Sequence, residues 1–173
     1  MKYEMRKIGL LFTVYCLLFT VCGCKTKYSF TGASISPDIK TVSIQYFPNY
    51  APLVQPTLSQ VLTEKLKDRF VSQTNLSLIN KNGDLSFEGS ITGYSTQPMA
   101  IQGNDQAALN RLTITISVKF TNMKNEKQNF ETSFLRYADY SSSKNLSDVE
   151  NDLIKQISEQ LVDDIFNKSV SNW

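Results

Sequence analysis

The decapeptide RLTITISVKF, at residues 111–120, is the segment that decides the fold. Apolar and polar side chains alternate strictly along it: Leu112, Ile114, Ile116, Val118 and Phe120 alternate with Arg111, Thr113, Thr115, Ser117 and Lys119. Strict alternation is typical of a β-strand that buries one face and leaves the other accessible. The segment therefore predicts a sheet with an apolar inner face and a polar face rich in Ser and Thr.

Further strands are predicted on both sides of this segment. Residues 39–47, 76–80, 85–93 and 130–140 show alternation or short apolar runs. In the first of these, Val42, Ile44 and Tyr46 are expected on one face, and in the third Gly93 is expected on the same face as Phe87. The sequence KNGD at residues 81–84 predicts a hairpin turn between two of the strands.

Two amphipathic helices are predicted, one on each side of the main group of strands. The first covers residues 57–73, with Thr57 and Gln60 arranged as a capping box. The second opens with a similar box at Ser147 and Glu150 and runs toward Trp173. Both carry apolar residues at helical spacing, which predicts that each packs one face against a core.

The order of elements indicates the fold class. A strand, a helix, three or four strands and a final helix predict an α+β two-layer sandwich. We expect two helices packed on one face of a mostly antiparallel, four- to five-stranded sheet. The opposite sheet face would carry polar side chains, either as an ordinary solvated face or against a polar partner such as the lumen wall of a large β-barrel.

The N-terminus has the layout of a bacterial lipoprotein signal. A basic start precedes the apolar residues 8–21, and the small residue Gly23 precedes Cys24. The apolar run would reach only about 21 Å as a helix, short of the roughly 30 Å of a bilayer core. We therefore predict a cleaved signal peptide at 1–23, a lipidated tether at 24–37 and a domain at 38–173, with an uncleaved anchor or an ordinary secretory signal as alternatives.

Composition excludes several classes of function. The chain contains no histidine, which excludes Ser-His and Cys-His catalysis and His-ligated zinc. The leader contains three basic residues and one acidic residue, so the remaining chain has 15 of each and no basic excess for nucleic acid. All three cysteines lie in the leader or at the lipidation point, so no disulfide is expected in the domain.

Several runs together resemble the LptE family of lipopolysaccharide-assembly lipoproteins, in the branch found in Bacteroidota-type bacteria. They are YFPNYAPL at 46–53, GDLSFEGSITGY at 83–94, ALNRLTITISVKF at 108–120, RYADY at 136–140 and the segment 145–173. The resemblance implies a non-enzymatic α/β plug inside the LptD outer-membrane barrel, in a 1:1 complex. It also implies a role in delivering lipopolysaccharide to the outer leaflet, with no cofactor or metal.

The resemblance assigns roles to few residues. Cys24 matches the lipidated cysteine, which would carry the acyl chains, including palmitate, and no acidic residue follows it closely to suggest another destination than the outer membrane facing the periplasm. Candidates for lipopolysaccharide contact, chosen because Arg and Lys suit phosphate, are Arg111, Lys119 and Arg136. Candidates for barrel contact are Pro48, Asn49, Pro52, Met99, Ile101, Thr113, Thr115 and Ser117.

Other functions remain as alternatives to this interpretation. The three basic candidates could simply be solvated or paired charges. The whole domain could be a different lipid-anchored binding module of the periplasm, for instance an activator of a cell-wall enzyme. A hydrolase is disfavoured because the sequence offers no histidine and no coherent nucleophile.

Overall fold

The structure, a computed structural model, describes residues 35–99 and 108–170. Its elements are β1 (Thr41–Ile44), α1 (Leu58–Gln73), β2 (Ser77–Ile79), β3 (Leu85–Met99), β4 (Leu109–Asn122), a 3-10 turn (Glu126–Gln128), β5 (Phe130–Ser141) and α2 (Leu146–Val170). The predicted signal peptide, the lipidation site Cys24, Ile101 and Trp173 lie outside the described residues. No helix within the described ranges is long and apolar enough to cross a membrane.

The sheet has five strands in the order β2-β1-β3-β4-β5. Strands β3, β4 and β5 form an antiparallel meander, while β1 pairs in parallel with both β2 and β3. The predicted α+β architecture is confirmed, and the antiparallel part dominates by length. The sheet is nevertheless mixed, because the first strand inserts between two later ones.

The insertion of β1 makes the predicted hairpin at residues 81–84 wrong. Strands β2 and β3 both run parallel to β1 and lie on opposite sides of it, so the segment between them crosses over β1. Asn82 takes a positive φ of 57°, and the Gly83 N–H donates to Ser43 Oγ at 3.2 Å. A Cβ on Gly83 would lie 2.5 Å from Ser43 N, so only glycine lets the crossover pass so close to β1.

Two predicted side-chain orientations are also wrong. The pairing of β3 with β4 shifts between Ile91 and Gly93, which is a β-bulge, and Gly93 therefore lies opposite Thr115 instead of sharing a face with Phe87. Tyr46 is exposed while the adjacent Phe47 is fully buried, because β1 ends at Ile44 and the chain beyond it leaves the regular alternation.

A chain of aromatic rings shows how the two layers pack. Phe70 of α1 lies 4.7 Å from Phe87 of β3 and 5.1 Å from Phe166 of α2, measured between ring centroids. Phe87 in turn lies 4.9 Å from Phe120 of β4. Both helices therefore cover the same face of the sheet, which we call the inner face.

The helix starts differ from the predicted capping boxes. Thr57 has helical backbone angles and makes no side-chain cap hydrogen bond; its N–H and hydroxyl instead donate to Gln55 Oε1, at 2.6 and 2.8 Å. Helix α2 already includes Ser147, so the residue before it is Asn145, whose carbonyl accepts from the Asp148 N–H at 3.1 Å. The first box is wrong because Gln55 accepts the hydrogen bonds of Thr57, and the second is wrong because the helix begins one residue before Ser147.

Candidate functional site

The outer face of β3, β4 and β5 is the side of the sheet that the two helices leave uncovered. The strand register places nine residues of its centre in three rows. From the edge nearer the β4–β5 turn, the rows are Ser90–Ser117–Ser133, Gly93–Thr115–Leu135 and Ser95–Thr113–Tyr137. This central patch contains no charged side chain and is made mostly of small hydroxyl residues.

The bulge in β3 shapes the middle of this patch. It brings Gly93 onto the outer face, where a Cβ would lie 3.1 Å from the Thr115 side chain. Because glycine has no side chain, the Thr115 methyl and hydroxyl remain reachable from the outer side. The predicted barrel contacts Thr113, Thr115 and Ser117 thus lie together on one strand, and all three are half-buried.

Charged residues lie on both sides of the central patch. On one side Lys119 lies between Glu88 and Glu131 of the neighbouring strands. On the other side Arg111 lies between Gln97 and Asp139. The central patch is therefore bordered on one side by a lysine between two glutamates and on the other by an arginine between a glutamine and an aspartate.

Arg111 is fully engaged with its neighbours on β5. Its guanidinium donates two hydrogen bonds to the Asp139 carboxylate, at 2.7 and 2.8 Å, and lies 3.6 Å from the centre of the Tyr137 ring. The hydrogen bond from Arg111 lowers the pKa of Asp139. The two charges compensate each other, so this predicted lipopolysaccharide contact is occupied by a carboxylate.

Arg136 lies on the other side of the sheet from Arg111 and Lys119. It pairs in register with the inner-face residue Ile114 and donates two hydrogen bonds to Asp164 of α2, at 2.6 and 2.7 Å. The structure therefore does not bring the three basic candidates together. Their predicted contact with lipopolysaccharide remains a prediction.

The loop between β1 and α1 contains three predicted contacts, Pro48, Asn49 and Pro52. Asn49 forms a bridge with Ile91 of β3, and its side-chain oxygen accepts from the Ala51 N–H at 2.9 Å. Four apolar side chains of this loop are between 60% and 72% exposed: Tyr46, Tyr50, Leu53 and Val54. We call these four residues the apolar loop.

Sequence reasoning missed the apolar loop as a surface feature. The available signal was a run of large apolar residues inside a segment interrupted by Pro48, Pro52 and Pro56, where no regular element can bury them. A second exposed pair lies at the far end of β3 and β4, where Met99 (36% exposed) faces Leu109. Met99, also a predicted contact, is thus accessible.

A buried tyrosine joins the apolar loop to the sheet and to α2. The Tyr94 hydroxyl donates to Glu150 Oε1 at 2.5 Å, and Gln55 Nε2 approaches Glu150 Oε2 at 3.5 Å. Burial, aided by the hydrogen bond to Glu150, raises the pKa of Tyr94 above its usual range. Tyr94 and Gln55 thus meet at the same carboxylate of α2.

The cleft between the two helices has a charged lining. A cleft of about 210 Å³ opens between α1 and α2, and four charged residues line it: Lys65, Asp68, Arg69 and Glu159. Lys65 pairs with Glu159 at 3.1 Å, and Arg69 pairs with Asp163. No cluster of His, Cys, Asp and Glu within residues 35–99 and 108–170 could hold a metal ion. The uncovered outer face and the apolar loop are thus the main candidate surfaces, and both suit binding.

Comparison with known proteins agrees with the architecture. The model of the LptE family, described as lipopolysaccharide-assembly, matches residues 39–169. No curated protein matches the chain.

Solved structures with a similar fold share little sequence with this chain. Protein CT253 from Chlamydia trachomatis has a TM-score of 0.53 at 9% identity, covering 78% of this chain and 99% of its own. Protein XCC0632 from Xanthomonas campestris has a TM-score of 0.51 at 10% identity, covering 80% and 90%. A minor lipoprotein from Acinetobacter baumannii has a TM-score of 0.49 at 15% identity, covering 75% and 91%.

Proposed function

The chain belongs to the LptE family, and from that premise we propose that it is a lipid-anchored plug and assembly partner of an LptD-like outer-membrane β-barrel. In this role it binds the barrel in a 1:1 complex and aids the delivery of lipopolysaccharide to the outer leaflet. Its contribution is binding and not catalysis. Acyl chains on Cys24 hold it at the periplasmic side of the outer membrane.

The observation that carries this proposal is the uncharged, uncovered centre of the outer face. The interior of a large barrel is lined by polar side chains. Hydroxyl groups can donate or accept hydrogen bonds, so Ser and Thr adapt to either kind of partner group. A surface without charges also avoids the penalty of several kcal/mol that burying an unpaired ion entails.

The arrangement of the basic residues supports the same role. Arg111 and Arg136 are each held by a carboxylate in a two-point hydrogen bond, which leaves both pairs neutral. Neutral pairs suit a protein that lies inside a barrel and contacts phosphorylated lipid only transiently. Lys119, exposed beside the central patch, is the candidate we favour for such a transient contact.

The proposal is tested by placing a charge in the central patch. The variant Thr115→Glu adds a carboxylate opposite Gly93, where it projects from the outer face and leaves the inner core intact. We expect its recovery with the barrel from detergent-extracted outer membranes to fall at least about tenfold, because the interface must desolvate an unpaired charge. Its circular dichroism and melting temperature should stay close to those of the wild type.

The matched control is Gln156→Glu, which adds the same charge on an exposed position of α2. It should leave recovery of the barrel unchanged. Undiminished recovery with Thr115→Glu would contradict the proposed use of the outer face. Recovery of a soluble cell-wall enzyme in place of a barrel would favour the alternative, a periplasmic binding module.

A further inference from the structure

The upper half of β3 has an open edge. Strand β1 and the loop after it accompany β3 only as far as Ile91, which bonds to both Pro48 and Tyr50. From Thr92 to Met99, β3 pairs with β4 on one side, and on its other side no strand formed by the described residues is present. A row of main-chain donors and acceptors is therefore left at this edge.

The direction of the main-chain groups at the open edge can be inferred from residues 87–91 of β3, which bond to β1 and the loop after it. The Phe87 carbonyl accepts from the Gln45 N–H, and the Ile91 N–H donates to the Pro48 carbonyl, each at 2.9 Å. The inner-facing residues of β3 thus direct their main-chain groups toward β1. Side-chain face and hydrogen-bond direction alternate together along a strand, so this relation holds beyond the bulge.

Beyond the bulge the inner-facing residues are Tyr94, Thr96 and Pro98, which lie opposite Ile114, Leu112 and Asn110. These three residues therefore direct main-chain groups to the open edge. Ser95 and Gln97 direct theirs toward β4. The edge offers two N–H groups and three carbonyls, since proline has no N–H.

The open edge of β3 is less protected than the other long edge of the sheet. Natural proteins guard edge strands with charged side chains. Strand β5 follows this rule with Glu131, Arg136 and Asp139, whereas residues 92–99 of β3 contain no charged residue. The bulge after Ile91 and the proline at position 98 guard the two ends of this stretch, and the residues between them, Tyr94 to Gln97, carry no such protection. This central part of the edge is suited to receive another strand.

The apolar loop borders this open edge. The Tyr50 N–H donates to the Ile91 carbonyl at 2.8 Å, so Tyr50 lies where the open edge begins. Gln55, farther along the loop, approaches the same Glu150 carboxylate that accepts from Tyr94. Exposed Leu53 and Val54 lie between these two points, and residues 46–55 contain no charge.

We propose that the edge of β3 at residues 92–97 receives an extended, uncharged segment of the barrel partner as an added strand, whose apolar side chains cover the apolar loop. The inference rests on the proposed function, since it names the surface by which the barrel partner is held. A closed barrel wall has no free strand edge. The added strand therefore comes from a loop or terminus of the partner that lies outside its wall.

Amide hydrogen exchange at single-residue resolution tests this proposal with the full-length lipidated protein in detergent, alone and with the purified barrel. We expect exchange at the Tyr94 and Thr96 amides to slow at least about tenfold in the complex, because hydrogen-bonded amides exchange only on opening. The Ser95 and Gln97 amides, which face β4, are internal controls and should be protected in both states.

A proline substitution provides the second test. Thr96→Pro removes an N–H that the register directs away from β4, and Pro98 already occupies the equivalent orientation on the same strand. We expect this variant to keep its melting temperature within a few degrees and to lose at least about tenfold in affinity for the barrel. Thr96→Val, which keeps the N–H, should bind as the wild type does.

The possible results separate the two proposals. A complex that forms without protection of Tyr94 and Thr96, and tolerates Thr96→Pro, would overturn the added strand and leave the plug role standing. Absence of any complex would overturn both. If protection of the Tyr94 and Thr96 amides rises with protein concentration in the absence of the barrel, a second copy of this chain binds the edge, which would also overturn the proposal.

Discussion

Two glycines of β3 show how single residues set the packing of the sheet. A Cβ on Gly89 would collide with the Ser117 carbonyl and would lie 2.5 Å from Phe47 Cε1, whereas a Cβ on Gly93 would lie 3.1 Å from the Thr115 side chain. Gly89 is on the inner face and Gly93 on the outer face. The first position has no room for a methyl group, and the second has some.

We therefore expect Gly89→Ala to lower the free energy of unfolding by about 3 kcal/mol, because the fully buried Phe47 ring must move. Gly93→Ala should cost about 1 kcal/mol or less, since the Thr115 side chain can give way. Urea denaturation of both variants measures the difference. Equal losses of stability in the two variants would contradict the expectation that Gly89 has less room for a methyl group than Gly93.

Asp84 is the residue that ties the crossover segment to the start of β1. Its carboxylate accepts from the Lys40 N–H at 2.9 Å and from the Thr41 N–H at 3.0 Å, and Lys124 Nζ lies 3.5 Å away. These hydrogen bonds, with that from Lys40 the largest contribution, lower the pKa of Asp84 from 3.8 to about 2. The folded state thus prefers the ionised form.

Because the folded pKa is lower than the unfolded one, Asp84 contributes stability that is fully present above about pH 4 and is lost as the pH falls toward 2. The variant Asp84→Asn should be less stable than the wild type at pH 6, and this difference should shrink to near zero at pH 2. Thermal melts across this range measure it. Asp152→Asn, at a side chain that is 89% exposed, is the control and should show no such trend.

Among the elements, helix α1 buries one aromatic residue, Phe70, near its C-terminal end, in addition to Leu58, Leu62 and Leu66. Phe70 is fully buried and contacts both Phe87 of the sheet and Phe166 of α2. We expect Phe70→Ala to lower the free energy of unfolding by about 4 kcal/mol, because it leaves a cavity where three elements meet. Val71→Ala, at a neighbouring side chain that is 53% exposed, should cost less than about 0.5 kcal/mol in the same denaturation experiment.

The elements themselves could be predicted because their signals are local. The alternation of residues 111–120 and the helical spacing of residues 58–73 depend only on which side chains meet the core. Helix α1 and strand β4 accordingly occupy nearly the predicted ranges. What could not be predicted is which strand lies beside which, since β1 pairs with residues more than 40 positions later along the chain.

The candidate site was predictable in part for the same reason. Strand alternation predicts that Thr113, Thr115 and Ser117 share one face of β4, and the register confirms that they lie on the outer face. The pairing of Arg111 with Asp139 and of Arg136 with Asp164 depends on register and on helix placement. No local pattern carries that information, and none reveals where β1 stops covering β3.

At the scale of the whole molecule, the fold uses its two sheet faces differently. The inner face carries the aromatic core and both helices, and stability depends on it. The outer face carries small polar groups, and the open half of β3 with its apolar loop lies at one edge. Substitutions on the inner face should mainly change the free energy of unfolding, whereas substitutions on the outer face should mainly change partner binding.

Charge at this scale agrees with a protein that is enclosed by its partner. The chain after the predicted leader has equal numbers of basic and acidic residues, and its interelement ion pairs include Lys65–Glu159 and Arg136–Asp164. A net-neutral domain exerts little long-range attraction on an anionic ligand. Recognition of the barrel by shape and hydrogen bonding is therefore more consistent with this surface than electrostatic capture of lipid.

We propose that this protein is the plug of an outer-membrane barrel, and purification of the tagged, full-length protein from outer membranes in mild detergent tests this role. Quantitative mass spectrometry of the eluate then gives the stoichiometry. We expect one large β-barrel protein in a 1:1 ratio. An eluate that contains no barrel, or contains a soluble periplasmic enzyme in its place, would contradict it.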